Sequence, residues 1–490
     1  MKKFFIQIHK ITGSVMSLLF LFWCMSGIVL CFKGFPHASV QRRLENLEFF
    51  SDDDFIDIQC LSESSSEKVE LEKYQQKAIY RNYKGRKTQV ITDAHTLQKV
   101  SYFSKANAIE EAERFVNANV VRVDSISKLD SWLPWGYYRP LLPFFKCYLD
   151  DDKHSAVYVS SKTGTVIQYT TRYARWMARL GAIPHMMYFY QIKQNGKLWQ
   201  NVILVLGLIG ILVSVSGIIA AFFRLKKNTS GKIIGITVYK KWSYKWHHIL
   251  GLFIGLFFLT FLVSGIFYAN DIPGWISAKP EGKSPQKAWN QTIKQDSVMQ
   301  PQQIWKLLPE KSGLRKIAWG TAMGVPVIEA YYNNYKKPIV YVTNNDTLIP
   351  FSINQKDIEA YALQTLKNKQ VSVELQDKYD NYYKAYGMYY HPLPVYKICL
   401  NNRFNSSLYI DPQSGKAVEY FNNNKKARRI LTRGLHKLDF SIFKNYSWLR
   451  ITILIIICLG GLVVSYTGVL LSWKWLKRLV KSGRRNINCK

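Results

Sequence analysis

Apolar residues run almost unbroken in four places along the chain, at about Ile11 to Phe32, Asn201 to Phe223, Ile249 to Ala269 and Ile451 to Trp473. None of these runs holds Asp, Glu, Lys or Arg, and each is long enough to cross a hydrocarbon core as a helix. Between them lie two segments of a different texture, about Lys33 to Gln200 and Asn270 to Arg450. There, short runs rich in Val, Ile, Tyr and Phe alternate with polar residues and end at turn residues, as half-buried strands do. A serine placed to cap a helix opens SKANAIEEAERFV at Ser104, and NQKDIEAYALQTL at Asn354 has the same character. The expected fold is a membrane protein with four transmembrane α-helices and two α+β domains, helices packed on antiparallel hairpins.

The pattern repeats. IHKITGSVMSLLFLFWCMSG, from Ile8, matches WHHILGLFIGLFFLTFLVSG, from Trp246, at an offset of 238: His9 falls on His247, Gly13 on Gly251, and Ser26-Gly27 on Ser264-Gly265. Later in each half the offset is 251. Tyr158-Val159 and Thr163-Gly164 fall on Tyr409-Ile410 and Ser414-Gly415, His185 on His436, Gly210 on Gly461, Ser214 on Ser465, and Gly217 on Gly468. Each half thus reads as span, polar domain, histidine-bearing juxtamembrane segment, span. This is a tandem two-fold repeat whose axis should lie along the membrane normal. The expected units are 1–35, 36–184, 185–223, 224–246, 247–269, 270–435, 436–473 and 474–490.

Charge gives this plan an orientation. The chain has 67 Lys and Arg against 33 Asp and Glu. Lys2, Lys3 and Lys10, seven basic residues from Arg224 to Trp246, and seven more from Lys474 onward occur with no acidic residue among them. The positive-inside rule makes these segments cytoplasmic and the two large domains extracytoplasmic, with both termini inside. The external part keeps a net charge of about +17, which suits an anionic ligand or lipid headgroups. The Lys2-Lys3 start resembles a signal peptide, but the apolar run is long and no small-x-small site follows it, so an uncleaved anchor is expected. Seven cysteines, three of them in spans and one in the tail, form no metal-spaced cluster and allow one external disulfide at most.

Histidines are the candidate chemistry. His9, Gly13 and Gly27 share one helix face, as do His247, Gly251 and Gly265, and a face of imidazole followed by glycines leaves room for something flat. Taken singly, each histidine has an ordinary reading as an amphipathic residue at the headgroup level, with the glycines serving close helix packing. Pairing changes the weighing: His9 with His247 at the cytoplasmic side and His185 with His436 at the outer side make two candidate bis-histidine sites. Haem takes two axial imidazoles, whereas zinc would want four ligands. Duplication alone can also copy four histidines without use. His248 has no counterpart but Lys10, so His247 and His248 are not separated as ligands. In GYYRPLLPFFKCYL and MYYHPLPVYKICL, Arg139 aligns with His391, and with Tyr138 and Tyr390 they are candidate substrate contacts.

These residues resemble a known family, the PepSY-associated transmembrane proteins, also called iron-regulated membrane proteins, which include inner-membrane ferric-siderophore reductases. The carriers are the H-K-x-x-G opening at His9, W-H-x-x-L-G from Trp246, Leu435-His436, and the hairpin at Asp411 to Gly415. The resemblance implies PepSY-like extracytoplasmic domains and, for reductase members, b-type haem on His9, His185, His247 and His436. The first half reads IPHMMYF around His185, without the Leu-His of the second. The implied function is a transmembrane oxidoreductase that passes electrons through two haems to a periplasmic ferric siderophore or other chelate, in the bacterial inner membrane. The basic loop is too short to hold a flavin or nicotinamide domain, so a quinol or a separate reductase must donate. No nucleic-acid partner is expected. The alternatives are a non-redox PepSY membrane protein that binds peptide or regulates a protease, and a component of a chelate transporter.

Overall fold

A computed structural model describes residues 2–61, 68–84, 88–276, 284–290, 299–334, 336–344, 347–366, 371–384, 391–443 and 446–487. The first half contains α1 (Lys2–Leu30), α2 (Val40–Glu45), β1 (Lys68–Tyr74), β2 (Lys77–Lys84), β3 (Thr88–Asp93), β4 (Lys99–Val100) and α3 (Lys105–Val116). It continues through β5 (Val120–Ile126), β6 (Phe144–Leu149), β7 (Ala156–Ser160), β8 (Val166–Thr170), α4 (Arg172–Leu180), α5 (Ala182–Met186), α6 (Tyr190–Lys193) and α7 (Gly196–Phe222). A short hairpin, β9 (Lys226–Lys227) with β10 (Ile233–Gly235), leads to α8 (Trp242–Ala269). The second half adds α9 (Pro285–Trp289), α10 (Pro301–Leu307), β11 (Lys316–Ala322), β12 (Val325–Tyr331), β13 (Ile339–Asn344), β14 (Thr347–Pro350) and α11 (Gln355–Leu366). It closes with β15 (Val371–Gln376), β16 (Val395–Leu400), β17 (Ser406–Ile410), β18 (Ala417–Phe421), α12 (Asn423–Arg429), α13 (Leu435–Lys437) and α14 (Ser447–Ile487).

Helices α1, α7, α8 and α14 are long and apolar enough to cross a membrane. α1 packs against α7 and α14, and α8 packs against the same two, closing a ring of four. Small residues set how closely they approach: a Cβ at Gly210 would lie 2.7 Å from Leu262, and one at Gly461 would lie 2.7 Å from the Cys24 sulfur. Met16, Phe20, Val213 and Leu262 fill the centre of the ring, while Leu18, Phe22, Leu208, Phe253 and Leu256 remain exposed on its outside, as lipid contact requires. The helices start earlier than the apolar runs, at Lys2 and Trp242, so His9 and His247 sit one to two turns inside them.

The polar segments fold as the alternation predicts, with one difference in how they join. Ser104 caps α3 in a box with Asn107, and α3 lays Ala108, Ala112 and Phe115 on the β5–β8 sheet against Val157 and Val159. In the second half α11 lays Ile358 and Ala362 on β15–β18 in the same way. The remaining strands, expected to belong to two separate domains, instead form one eight-stranded sheet in the order β14-β13-β12-β11-β1-β2-β3-β4. β1 and β11 meet antiparallel at the centre, with Leu71 opposite Ile317 and Val69 opposite Trp319. One core drawn from both segments, including Leu71, Tyr80, Trp305, Ile317 and Tyr341, covers this seam. Buried charge sits there too. Burial alone would raise the Glu329 carboxyl, but the ammonium groups of Lys416 and Lys68 bring it down to about 2.

Candidate functional site

The structure brings the four predicted histidines together as two pairs. His9 on α1 and His247 on α8 have ring centres 6.1 Å apart, and His185 on α5 and His436 on α13 have theirs 6.0 Å apart. A metal–imidazole bond of about 2 Å on each side, plus about 1 Å from each nitrogen to its ring centre, gives about 6 Å for two imidazoles sharing one metal atom.

Each imidazole is held by its other nitrogen. His9 Nδ1 lies 3.1 Å from the Val213 carbonyl, His247 Nδ1 3.1 Å from Val464, His185 Nδ1 3.1 Å from Trp23, and His436 Nδ1 3.1 Å from Phe261. A carbonyl only accepts, so Nδ1 carries the proton in all four and Nε2 keeps its lone pair. Among the described residues no Nε2 of the four has a hydrogen-bond partner. An N–H anchored on a carbonyl, with the opposite nitrogen free, is how metal-binding histidines are oriented.

The anchoring carbonyls share a local pattern: three residues after each comes Ser or Thr, then Gly. Ser26, Ser216, Ser264 and Thr467 turn their hydroxyls back onto the helix, to Trp23, Val213, Phe261 and Val464 respectively. Three of these hydroxyls also face an imidazole: Ser26 Oγ is 3.2 Å from His185 Nδ1, Ser264 Oγ 3.0 Å from His436 Nδ1, and Thr467 Oγ1 3.1 Å from His247 Nδ1. The glycine that follows makes room for the ring. A Cβ at Gly217 would lie 2.6 Å from His9 Cε1, and one at Gly27 would lie 3.3 Å from His185 Cε1. At Gly468 the distance to His247 Cε1 is 3.5 Å, and at Gly265 it is 3.7 Å to His436 Cε1. Of the glycines read from sequence as space for a flat group, Gly27 and Gly265 are instead faced by His185 and His436, and a Cβ at Gly13 would lie 4.0 Å from His9 Cε1. Gly251, where a Cβ meets nothing within 4 Å, remains open. Sequence reading missed Ser216 and Thr467; the signal was a Ser-Gly or Thr-Gly dipeptide in every span.

The His185–His436 pair faces a cavity of about 810 Å³, whose lining includes Trp23, Phe258, Phe261, Leu262 and Leu454 together with Tyr188, Tyr268, Lys437 and Arg450. That is cofactor-sized. The two pairs are well separated: His9 and Trp23, whose carbonyl anchors His185, stand fourteen residues apart on α1, about 21 Å at 1.5 Å per residue. The buried plug of Met16, Phe20, Val213 and Leu262 fills the space between them. Among the described residues no three His, Cys, Asp or Glu gather as a metal site, so the donor set is two imidazoles. The six described cysteines are free thiols.

His248 points elsewhere: its Nε2 lies 2.9 Å from the Ala221 carbonyl, which leaves His247 as the partner of His9. Arg139 donates to Gln194 Oε1 at 3.2 Å, and Tyr138 packs on Trp135 and Tyr137. His391 stacks edge-on against Tyr383 and lies 3.5 Å from Glu419. Arg139 and His391 are each bound within their own half, and the structure does not join them into a site. Tyr390 lies outside the described residues.

No curated protein matches the chain. The family match starts after His9 and takes in His185, His247 and His436. With 65–478 matched by the family model for the PepSY-associated TM region, the chain belongs to that family.

Proposed function

We propose that this protein is a haem-b reductase of the bacterial inner membrane that carries electrons to a periplasmic ferric-siderophore-type acceptor for iron acquisition. The observation that carries the proposal is the repeated anchoring of four imidazoles by their Nδ1 protons, with ring centres at the spacing of shared axial ligation. Bound haem supplies one-electron redox chemistry. His9, His247, His185 and His436 would hold the group through the Nε2 atoms that their Nδ1 anchors orient, and the Met16–Phe20–Leu262 plug would keep water out between the two sites.

The same reading takes the chain as a tandem repeat, with the sheets on the periplasmic side and both termini in the cytoplasm. Its support is the matching order of elements in the two halves and the acid-free basic segments at one end of the bundle. Reduction loosens a ferric chelate because Fe(II) sits low in the divalent affinity order. A quinol or a separate reductase supplies the electrons.

The test is a reduced-minus-oxidised spectrum of protein purified after haem-replete expression, followed by stopped-flow oxidation with ferric chelates. A b-type spectrum that is bleached by the chelate supports the proposal. A colourless chain, or reduced haem indifferent to every chelate, would leave the peptide-binding or transport alternatives.

A further inference from the structure

The scaffold around the outer pair is symmetric, but its charge is not. Met186, Tyr188 and Trp199 of the first half correspond, 251 residues on, to Lys437, Asp439 and Arg450, and all six line the cavity. The tether between juxtamembrane helix and span is the same in both halves. The Trp199 indole donates to the Met186 carbonyl at 2.9 Å, and the Arg450 guanidinium donates to the Lys437 carbonyl at 3.0 Å. A neutral indole does in one half what the guanidinium does in the other, so the charge at Arg450 is not demanded by the fold.

Nor is that charge used by a neighbouring acid. Asp439, the sole acidic residue of the described lining, is taken by Arg429 at 3.2 Å and by Lys384 at 3.6 Å. Among the described residues neither Lys437 nor Arg450 has a carboxylate partner. Lys384, Lys437 and Arg450 against Asp439 leave the lining two charges positive, all of them on second-half residues. The first-half residues Trp23, Met186, Trp199 and Ile203 of the lining are apolar or aromatic. The fitting occupant is flat and apolar with two carboxylates on one edge. Once one N–H is spent on the Lys437 carbonyl, Arg450 still has four to offer a carboxylate.

We propose that Lys437 and Arg450 receive the two propionate carboxylates of the outer haem, so that the cofactor is seated one way round, with its apolar edge against Met186 and Trp199. This rests on the haem reading above. Carboxylates of an anionic chelate entering from outside would offer the same chemistry, and the test separates the two sources.

Full-length wild type, Arg450→Trp, Lys437→Met and Leu208→Met, a control on the outside of the bundle, are compared by haem retention and spectroelectrochemical titration, with the outer haem identified by its loss in His436→Ala. Arg450→Trp mirrors Trp199 and keeps a tether donor while removing the charge, which guards against a merely misfolded variant. Losing one charge-assisted hydrogen bond should weaken outer-haem retention about tenfold or more. It should also move one of the two midpoints to lower potential, leaving the other in place. Leu208→Met should do neither. Reconstitution with haem whose propionates are methyl esters should erase the difference between wild type and Arg450→Trp. Two haems with unchanged retention and midpoints in both charge variants would overturn the assignment while leaving the haem reading intact. A difference that survives esterification, or one confined to chelate affinity, would overturn it too. A chain with no haem at all would remove both.

Discussion

The two halves treat their histidines alike and their outer sheets differently. At the pairs, acceptor carbonyl, hydroxyl, glycine and imidazole correspond residue for residue, Val213-Ser216-Gly217 with Val464-Thr467-Gly468 and Trp23-Ser26-Gly27 with Phe261-Ser264-Gly265. Where each four-stranded sheet docks on the shared eight-stranded sheet, the correspondence reverses sign. Arg81 of β2 pairs with Glu72 and donates to the Thr163 carbonyl at 2.7 Å, in the turn between β7 and β8. The position 248 residues on is Glu329 of β12, which pairs with Lys416 beside the matching turn. Docking asks only that buried charge be paired, whereas the histidine sites repeat particular atoms in particular places, as the proposed haem sites would need.

The largest expected difference lies at the docking points. Arg81→Met strands Glu72, itself 5 % exposed, and should cost about 3–5 kcal/mol in thermal or denaturant unfolding. Lys416→Met should cost less, because Glu329 keeps a hydrogen bond from Tyr331 at 2.6 Å. Equal losses would erase the contrast.

A second contrast is pH-dependent. Burial pushes the Glu111 carboxyl up to about 7, although Arg114 pulls the other way, whereas the position 250 residues on is Tyr361 of α11, which packs edge-on against Trp289. The folded chain therefore holds a proton that the unfolded chain releases near 4.5, so stability is fullest below that value and is lost as pH rises through 7. Glu111→Gln should stabilise the chain at pH 8 by on the order of 2 kcal/mol, read as a higher melting temperature, and do little at pH 5.

Within the pairs the glycines rank themselves. Gly217→Ala drives a methyl into His9 and should weaken the inner site by about 1–3 kcal/mol, whereas Gly468→Ala, at ordinary contact distance from His247, should be tolerated. Haem retention of the two variants measures this. The smallest effect expected is from Ser264→Ala, which removes one hydrogen bond to His436 and should cost the outer site about 0.5–1.5 kcal/mol, read as a small midpoint shift.

Much of this was legible in the sequence because the signals are local or periodic: unbroken apolar runs, the Ser104 cap, and histidines in register at 238 and 251. The pairing of His9 with His247 and of His185 with His436 followed from that register. What stayed hidden depends on distant contacts. Nothing local announces that Leu71 will lie opposite Ile317 and fuse two expected domains into one sheet. The anchoring carbonyls are main-chain atoms, which carry no residue identity, so only the recurring Ser-Gly and Thr-Gly could betray them. Arg139 and His391 aligned well, yet alignment says nothing of their neighbours, and each turned out to be bound within its own half.

The central claim is that two bis-histidine haem sites lie one above the other, and the direct measurement is haem per chain in wild type, His9→Ala, His436→Ala and the double variant. The account predicts about two, one, one and none, with different residual spectra in the two single variants. Colourless wild type after haem-replete expression, or loss of both haems on either single substitution, would contradict it.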